Sequence, residues 1–298
     1  MSVVTATTLD DVLTALAAGA RPLAGGTDMV VGARQGKSPL PEQLVLLDRV
    51  PELHGIEISD EGLRIGAAVS HDEIVGDARL AQHYSALPDA SALVGSHATR
   101  HVGTIGGNLM NGSPAMDTGA PFVVLGAEAE LRSARGVRRV AVTDLWAGPG
   151  RTTAADDELC VAVHVPTPPA AHGSAYLRLE YRRAMEIAVV GAAASVRLAE
   201  DGSVIAVAVA LSAVAPTILP LQGLGALAGA SIDDVAEAVG TAAAGQARPI
   251  SDTRASDEYR RRMVGVIARR AALVAARRAR GEQVAIPANR STAQGAHA

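Results

Sequence analysis

Apolar residues recur at helical spacing directly after Thr8. Leu9, Val12, Leu13 and Leu16 share one side, Thr8 offers a hydroxyl cap, and Gly19 a stop. Short apolar runs at Arg21–Ala24, Gln43–Leu47 and Leu63–Ala67, with a turn at Pro51, predict strands. Residues 1–55 thus predict a small α+β lobe. From 56 to 170, strands and short helices alternate, and Val123–Leu131, Arg138–Val142 and Glu158–Val165 predict the sheet of a second lobe.

Pro, Ala and Gly cluster at Pro166–Gly173, which reads as a linker. Beyond it, residues 174–285 predict a C-terminal domain with longer strands at Ala175–Tyr181, Ile187–Leu198 and Val204–Ser212, the last two joined by an Asp201-Gly202 turn. Two helices follow. Ser231 caps the first, with Val235, Ala238 and Val239 inward; the second runs from Ser256 to Arg280, burying Tyr259, Met263, Val266, Ile267 and Val274. Residues 288–298 are polar and read as a disordered tail.

Two glycine pairs interrupt this pattern: Leu23-Ala24-Gly25-Gly26-Thr27-Asp28-Met29, and Thr104-Ile105-Gly106-Gly107-Asn108. Without a Cβ, successive amides can turn inward and the backbone can approach a bulky ligand. Such a concave row of N–H groups attracts anions, phosphate above all. The second pair runs on to Met110, Asn111, Ser113 and Asp117, adding an amide, a hydroxyl and a carboxylate suited to ligand hydroxyls and ring edges. Together the loops read as a dinucleotide site holding a diphosphate from both sides. Neither carries the Gly-x-Gly-x-x-Gly pattern of the Rossmann turn, and Gly36-Lys37-Ser38 is no P-loop, because Val31 stands where that motif needs its first glycine.

Composition narrows the classes. Aromatic residues make up 2% of the 298 and the formal net charge is −4, which argues against single-stranded nucleic acid or a phosphate backbone as partner. The single cysteine, Cys160, closes no disulfide within the chain and cannot hold an iron–sulfur cluster. The longest strongly apolar stretch, Ile187–Val196, is shorter than the roughly 18 residues of a membrane span. The basic region of a secretory signal is missing from the start, so the expectation is a soluble, cytoplasmic protein. His97 and His101 stand four apart without a third ligand beside them and read as polar packing. Arg260–Arg262, Arg269-Arg270 and Arg277-Arg278 read as a solvated helix face, with a docking surface for a partner subunit as the alternative.

Leu23–Met29, Gly103–Asp117, Tyr181–Val190 and Ser256–Arg270 together resemble the FAD-binding medium subunit of the molybdenum hydroxylases, the xanthine dehydrogenase, carbon monoxide dehydrogenase and aldehyde oxidoreductase type. The resemblance spans nearly the whole chain. It implies an α+β fold: a two-lobed FAD-binding domain of the vanillyl-alcohol-oxidase/PCMH type, then a C-terminal α+β domain with a three-stranded sheet and helices. It implies non-covalent FAD, with both glycine loops wrapping the diphosphate and Asn111, Ser113 and Asp117 hydrogen-bonding the cofactor. Cys160 falls where the family commonly has an aliphatic residue against the flavin, Arg178 where related sequences often place a lysine near the ring, and Ile187 beside the ring system.

The same resemblance implies an electron-transfer subunit with no general acid or base of its own. A molybdenum-cofactor large subunit oxidises the substrate, a small subunit with [2Fe-2S] clusters conducts the electrons, and the FAD hands them to NAD+, a quinone or another acceptor. A dimer of heterotrimers is the implied assembly. Thr27-Asp28 in place of the His-Ser usual in carbon monoxide dehydrogenases, together with Ile187, favours a xanthine-dehydrogenase-like or other heterocycle or aldehyde enzyme. The rival reading is a stand-alone FAD-dependent oxidase or reductase of the same fold, which needs a substrate base or a flavin-linking His or Cys.

Overall fold

The computed structural model describes residues 1–182 and 184–289. The first lobe runs β1 (Ser2–Thr5), α1 (Leu9–Ala17), β2 (Arg21–Leu23), α2 (Thr27–Arg34) and β3 (Gln43–Leu46), its strands in the parallel order β1-β3-β2. Thr8 caps α1 through a reciprocal box: its hydroxyl accepts from Asp11 N (3.2 Å) and Asp11 Oδ2 accepts from Thr8 N (3.0 Å).

The second lobe opens with the hairpin β4 (Ile56–Ser59) and β5 (Gly62–Gly66). Six short helices follow: α3 (His71–Gly76), α4 (Ala78–His83), α5 (Ala86–Ser91), α6 (His97–Val102), α7 (Ile105–Asn111) and α8 (Gly119–Val124). The lobe closes with β6 (Glu128–Ser133), β7 (Gly136–Ala141), α9 (Val142–Leu145), the small pair β8 (Trp146–Gly148) and β9 (Arg151–Thr152), and β10 (Leu159–Val165). Its main sheet is antiparallel, in the order β4-β5-β10-β6-β7. Leu159 and Val161 of β10 face the first-lobe core, whereas Cys160, Val163 and Val165 face the second. One central strand thus serves both lobes.

The C-terminal domain comprises β11 (His172–Leu179), β12 (Val190–Leu198), β13 (Val204–Ser212), β14 (Leu219–Pro220), α10 (Ile232–Gln246) and α11 (Asp257–Ala279). Three long antiparallel strands form the expected sheet, and the two-residue β14 adds a fourth at its edge. Strand alternation gives the sheet two buried faces. Ala175, Leu177, Val190, Ala192 and Ala194 pack under α10 and α11, while Tyr176, Ala193 and Ala210 join the second-lobe core.

Several sequence expectations shift. The apolar run Val123–Leu131 is not one strand: α8 ends in a Schellman turn, with Gly126 at φ +69 and Ala127 N donating to Phe122 O, before β6 begins. A short apolar run carries no period able to separate the two states. The strand expected from Ile187 begins at Val190, leaving Ile187 on an exposed segment. On α11 the fully buried stripe is Val264, Ile267, Ala268, Ala271, Ala272, Val274 and Ala275; Tyr259 and Met263 pack at its margin and Val266 is half-exposed.

The arginines of α11 do not form one solvated or docking face. Arg260 turns inward, its Nη1 donating to the carbonyls of Val189 (2.9 Å) and Ala213 (3.1 Å) and its Nη2 to Asp252 (2.8 Å). Arg269 lies outside, paired with Glu237 at 2.6 Å. Arg278 grips the fully buried Asp89 of α5 at 2.6 and 3.0 Å. The expected tail does not begin at 288, because Ala288 is buried and donates to Asp89 Oδ1 at 2.8 Å; residues 290–298 lie outside the described residues. Among the described residues no helix is long and apolar enough to cross a membrane.

Asp89 also accepts from Tyr176 N at 3.1 Å, so one carboxylate fastens α5, β11, α11 and the chain beyond it. Removing it leaves a buried guanidinium without its anion. Asp89→Ala is expected to lower the unfolding free energy by about 3–5 kcal/mol in urea denaturation; a loss below about 1 kcal/mol contradicts the clasp.

Candidate functional site

The first glycine loop leaves β2 at Leu23, whose carbonyl accepts from Leu47 N at 3.1 Å. Ala24 and Gly25 lead to Gly26, which takes φ +67 and stands at the N-cap of α2. No side chain caps that helix. Its first-turn amides, Thr27, Asp28 and Met29, have no intrahelical acceptor and carry the positive end of the helix dipole. A helix start of this kind is a ready anion site.

The second loop is built differently. Gly103 follows α6, and Thr104 caps α7 through its hydroxyl, which accepts from Gly107 N at 3.1 Å. Ile105 N donates to Val69 O (2.9 Å), Gly106 N to Ala67 O (2.8 Å) and Asn108 N to Thr104 O (2.9 Å). The amides expected to wrap an anion are therefore spent on anchoring α7 to the second-lobe sheet. A Cβ on Gly106 would meet Ala67 Cβ at 2.6 Å, so that glycine serves packing. Gly107 is exposed, and a Cβ there would meet only Thr104 Oγ1, at 3.0 Å. The second loop thus offers an open, side-chain-free surface.

The two loops touch. A Cβ on Gly25 would lie 1.7 Å from Val102 O and 3.0 Å from Gly103 N. Thr27 Oγ1 lies 3.7 Å from the point a Cβ on Gly103 would occupy. The polar residues lie along α7 and just after it. Asn108 Oδ1 accepts from Thr118 Oγ1 at 2.6 Å, leaving its NH2 group for other acceptors, and Asn111 is exposed at the end of α7. Ser113 Oγ accepts from Ala115 N at 3.3 Å, and Met110 packs against the second-lobe core.

Asp117 is buried, and both of its oxygens have partners within the chain: Tyr176 OH at 2.8 Å and Arg178 Nη1 at 2.7 Å. Arg178 also donates through Nε to Glu180 at 2.5 Å. Cys160 is 4% exposed in the second-lobe core, and burial pushes its thiol up to about 12, so it acts as a small apolar residue. Ile187 lies on the 181–189 segment, 49% exposed. That segment is pinned where Met185 N donates to Gly95 O (3.0 Å) and where Met185 Sδ accepts from Thr99 Oγ1 (3.9 Å).

A third wall, 95–102, therefore connects the loops to the Ile187 segment, and sequence reasoning missed it. Tyr176, Glu180 and Arg260 were missed as well. The strict alternation of polar His172, Ser174, Tyr176 and Arg178 with apolar partners along β11 was the available signal. His101 pairs with Asp72 at 2.9 Å, and no group of metal-ligating side chains occurs among the described residues.

His71 backs the junction, its N–H donating to Gly103 O at 3.0 Å and its Nδ1 lying 3.4 Å from Ser91 Oγ. Burial, reinforced by the Arg100 charge, pushes its imidazole down from 6.5 to about 4. The folded state then binds fewer protons than the unfolded chain between these values. The stability it contributes is present above pH 6.5 and is lost as pH falls toward 4, by roughly 3 kcal/mol. His71→Gln is expected to flatten the stability profile over that window in denaturant titrations; equal slopes for variant and wild type contradict the assignment.

Comparison with known proteins shows the family and the fold. The family described as "FAD binding domain in molybdopterin dehydrogenase" matches residues 1–168, and the "CO dehydrogenase flavoprotein C-terminal domain" matches 175–275. The xanthine dehydrogenase FAD-binding subunit of Escherichia coli O157:H7 is 32% identical over 277 residues, covering 87% of this chain and 90% of that one. The carbon monoxide dehydrogenase medium chain of Afipia carboxidovorans is 36% identical over 262 residues, with the same two shares. A crystal structure of the Cu,Mo-CO dehydrogenase superposes with a TM-score of 0.88 at 32% identity, covering 93% of this chain and 98% of that one.

Proposed function

This chain belongs to the FAD-binding medium subunits of the molybdenum hydroxylases, and from that premise we propose that it holds FAD non-covalently at the junction of its two glycine loops. FAD, when bound, supplies the electron-transfer chemistry; the chain binds it, orients it and sets its surroundings.

The observation that carries this reading is the contact of Gly25 with Val102 beside the uncapped start of α2. The residues fit a dinucleotide. The α2 amides suit a diphosphate, the bare Gly107 surface allows close approach, and Asn108, Asn111 and Ser113 supply polar groups for hydroxyls. Leu23, Ala24 and Met29 frame the first loop, and Met110 and Ile105 support the second. Asp117 acts through Arg178, because its own oxygens are occupied. Ile187 presents an apolar surface at the far end of the wall, where the ring system lies in this reading.

The electrons come from a small subunit with [2Fe-2S] clusters, fed by a molybdenum-cofactor large subunit that selects the substrate, within a dimer of heterotrimers. They leave to NAD+, a quinone or another acceptor. Thr27-Asp28 and Ile187 support a heterocycle or aldehyde substrate over carbon monoxide. Among the described residues the one cysteine is buried, which gives the stand-alone oxidase no thiol for a flavin link.

The test is direct. The purified chain is expected to take up FAD to a visible flavin spectrum, to release it on acid precipitation, to contain no iron, and to leave purines, aldehydes and N-heterocycles unoxidised until its partner subunits are added. Gly107→Val is expected to weaken FAD binding by about 100-fold, with a smaller loss of thermal stability from crowding the Thr104 cap, which Gly107→Ala largely spares. Full flavin occupancy in the variant, or substrate oxidation by the chain alone, contradicts the proposal.

A further inference from the structure

The inner face of the C-terminal sheet changes character along its length. Near the linker it carries His172, Ser195 and Arg197; in the middle, Tyr176, Ala193 and Ala210 enter the core; at the far end stand Arg178, Gly191 and Ser212. The far end is the unusual one. The Arg178 side chain is 1% exposed and lies between two carboxylates, Asp117 at 2.7 Å and Glu180 at 2.5 Å. Its Nη2 is buried and meets no acceptor within the described residues. Buried donors are ordinarily satisfied, and an apolar side chain would fill this place at no electrostatic cost. A cation kept here despite an open hydrogen-bond position has work beyond packing.

Its neighbours indicate that work. Asp117 is followed by Thr118, whose hydroxyl holds Asn108 next to Gly107. Glu180 is followed at once by the 181–189 segment that carries Ile187, and this segment rejoins the sheet where Val189 N donates to Leu179 O at 2.9 Å. Arg178 therefore ties the second loop to the base of the Ile187 segment with one rigid fork of donors. Both Ser212 and Tyr176 complete the cluster, with Tyr176 OH lying 3.2 Å from Ser212 Oγ. Solvent screens this buried cluster little, and Asp117 and Glu180 offset the guanidinium, so changing any one of the three charges alters the field around it.

We infer that Arg178 is a positioning and charge-setting residue for the flavin: held by Asp117 and Glu180, it registers the Ile187 segment against the glycine loops and favours the reduced cofactor electrostatically. This rests on the functional reading above. Arg178 raises the flavin's reduction potential, and Glu180, the more exposed of its two carboxylates, tempers it.

Reduction of the FAD-loaded full chain against reference dyes tests this. Glu180→Gln, which keeps shape and removes a negative charge, is expected to raise the reduced-to-oxidised ratio at fixed poise about tenfold, or about 30 mV for a two-electron couple. Arg178→Met is expected to lower the ratio by a similar factor, and Arg178→Lys, which keeps the charge but not the fork, to restore most of it. A purely structural arginine would shift the unfolding temperature in Arg178→Met and Arg178→Lys alike and leave the potential unmoved. Should Arg178→Met fail to fold, Glu180→Gln decides alone. FAD-loaded variants with wild-type potentials overturn this inference and leave the functional reading standing; a wild-type chain that takes up no FAD overturns both.

Discussion

Where Gly25 meets Val102, the backbones of the two lobes approach so closely that a single methyl group would sit 1.7 Å from a carbonyl oxygen. No side chain can occupy that space, and no rotamer relieves the clash, because the obstacle is backbone. Much else in the molecule follows from keeping this contact. His71 holds Gly103 from behind, Thr104 ties off α7, and β10 presents alternate residues to both lobe cores so that the lobes share one strand. The start of α2 therefore lies at the lobe junction, with Thr27 Oγ1 close to Gly103, the residue that leads into the second loop.

The two glycine loops divide the labour. The first exposes amides, because Gly26 turns into the helix without a side-chain cap. The second has committed its amides to Val69, Ala67 and Thr104, and offers proximity and polar side chains instead. In the proposed reading, an anion is held by the helix start and the second loop allows the rest of the ligand to approach closely. The C-terminal domain supplies the remaining constraint. Arg260 and Arg278 point inward from α11, one fixing the end of the Ile187 segment at Val189 and the other fastening α5 through Asp89. The helix that reads as a charged outer face is in part the strut of the site.

Much of this was legible in the amino-acid sequence, and the exceptions have physical reasons. Thr8 and Ser231 cap their helices as expected, since a cap is a local interaction between neighbours. The turn at Asp201-Gly202 and the strand Val204–Ser212 after it lie where they were expected. The fate of the second loop's amides was not legible, because their acceptors lie some forty residues away on the chain around β5. Arg260 and Arg278 were misread because a charged side chain looks solvated until its partners are known, here the carbonyls of Val189 and Ala213 for Arg260 and the buried Asp89 for Arg278. Val123–Leu131 failed for a third reason: a short apolar run has no period, and only Gly126 marks where helix gives way to strand.

The central claim is that anion binding belongs to the first loop and close approach to the second. Amide hydrogen exchange of the full chain, with and without FAD, tests it residue by residue. Ile105, Gly106 and Asn108 are already bonded within the chain, so the account predicts slow exchange there that FAD changes little. It predicts fast exchange at Thr27–Met29 that slows sharply on binding. Protection appearing mainly at 105–108, with 27–29 unchanged, would contradict it.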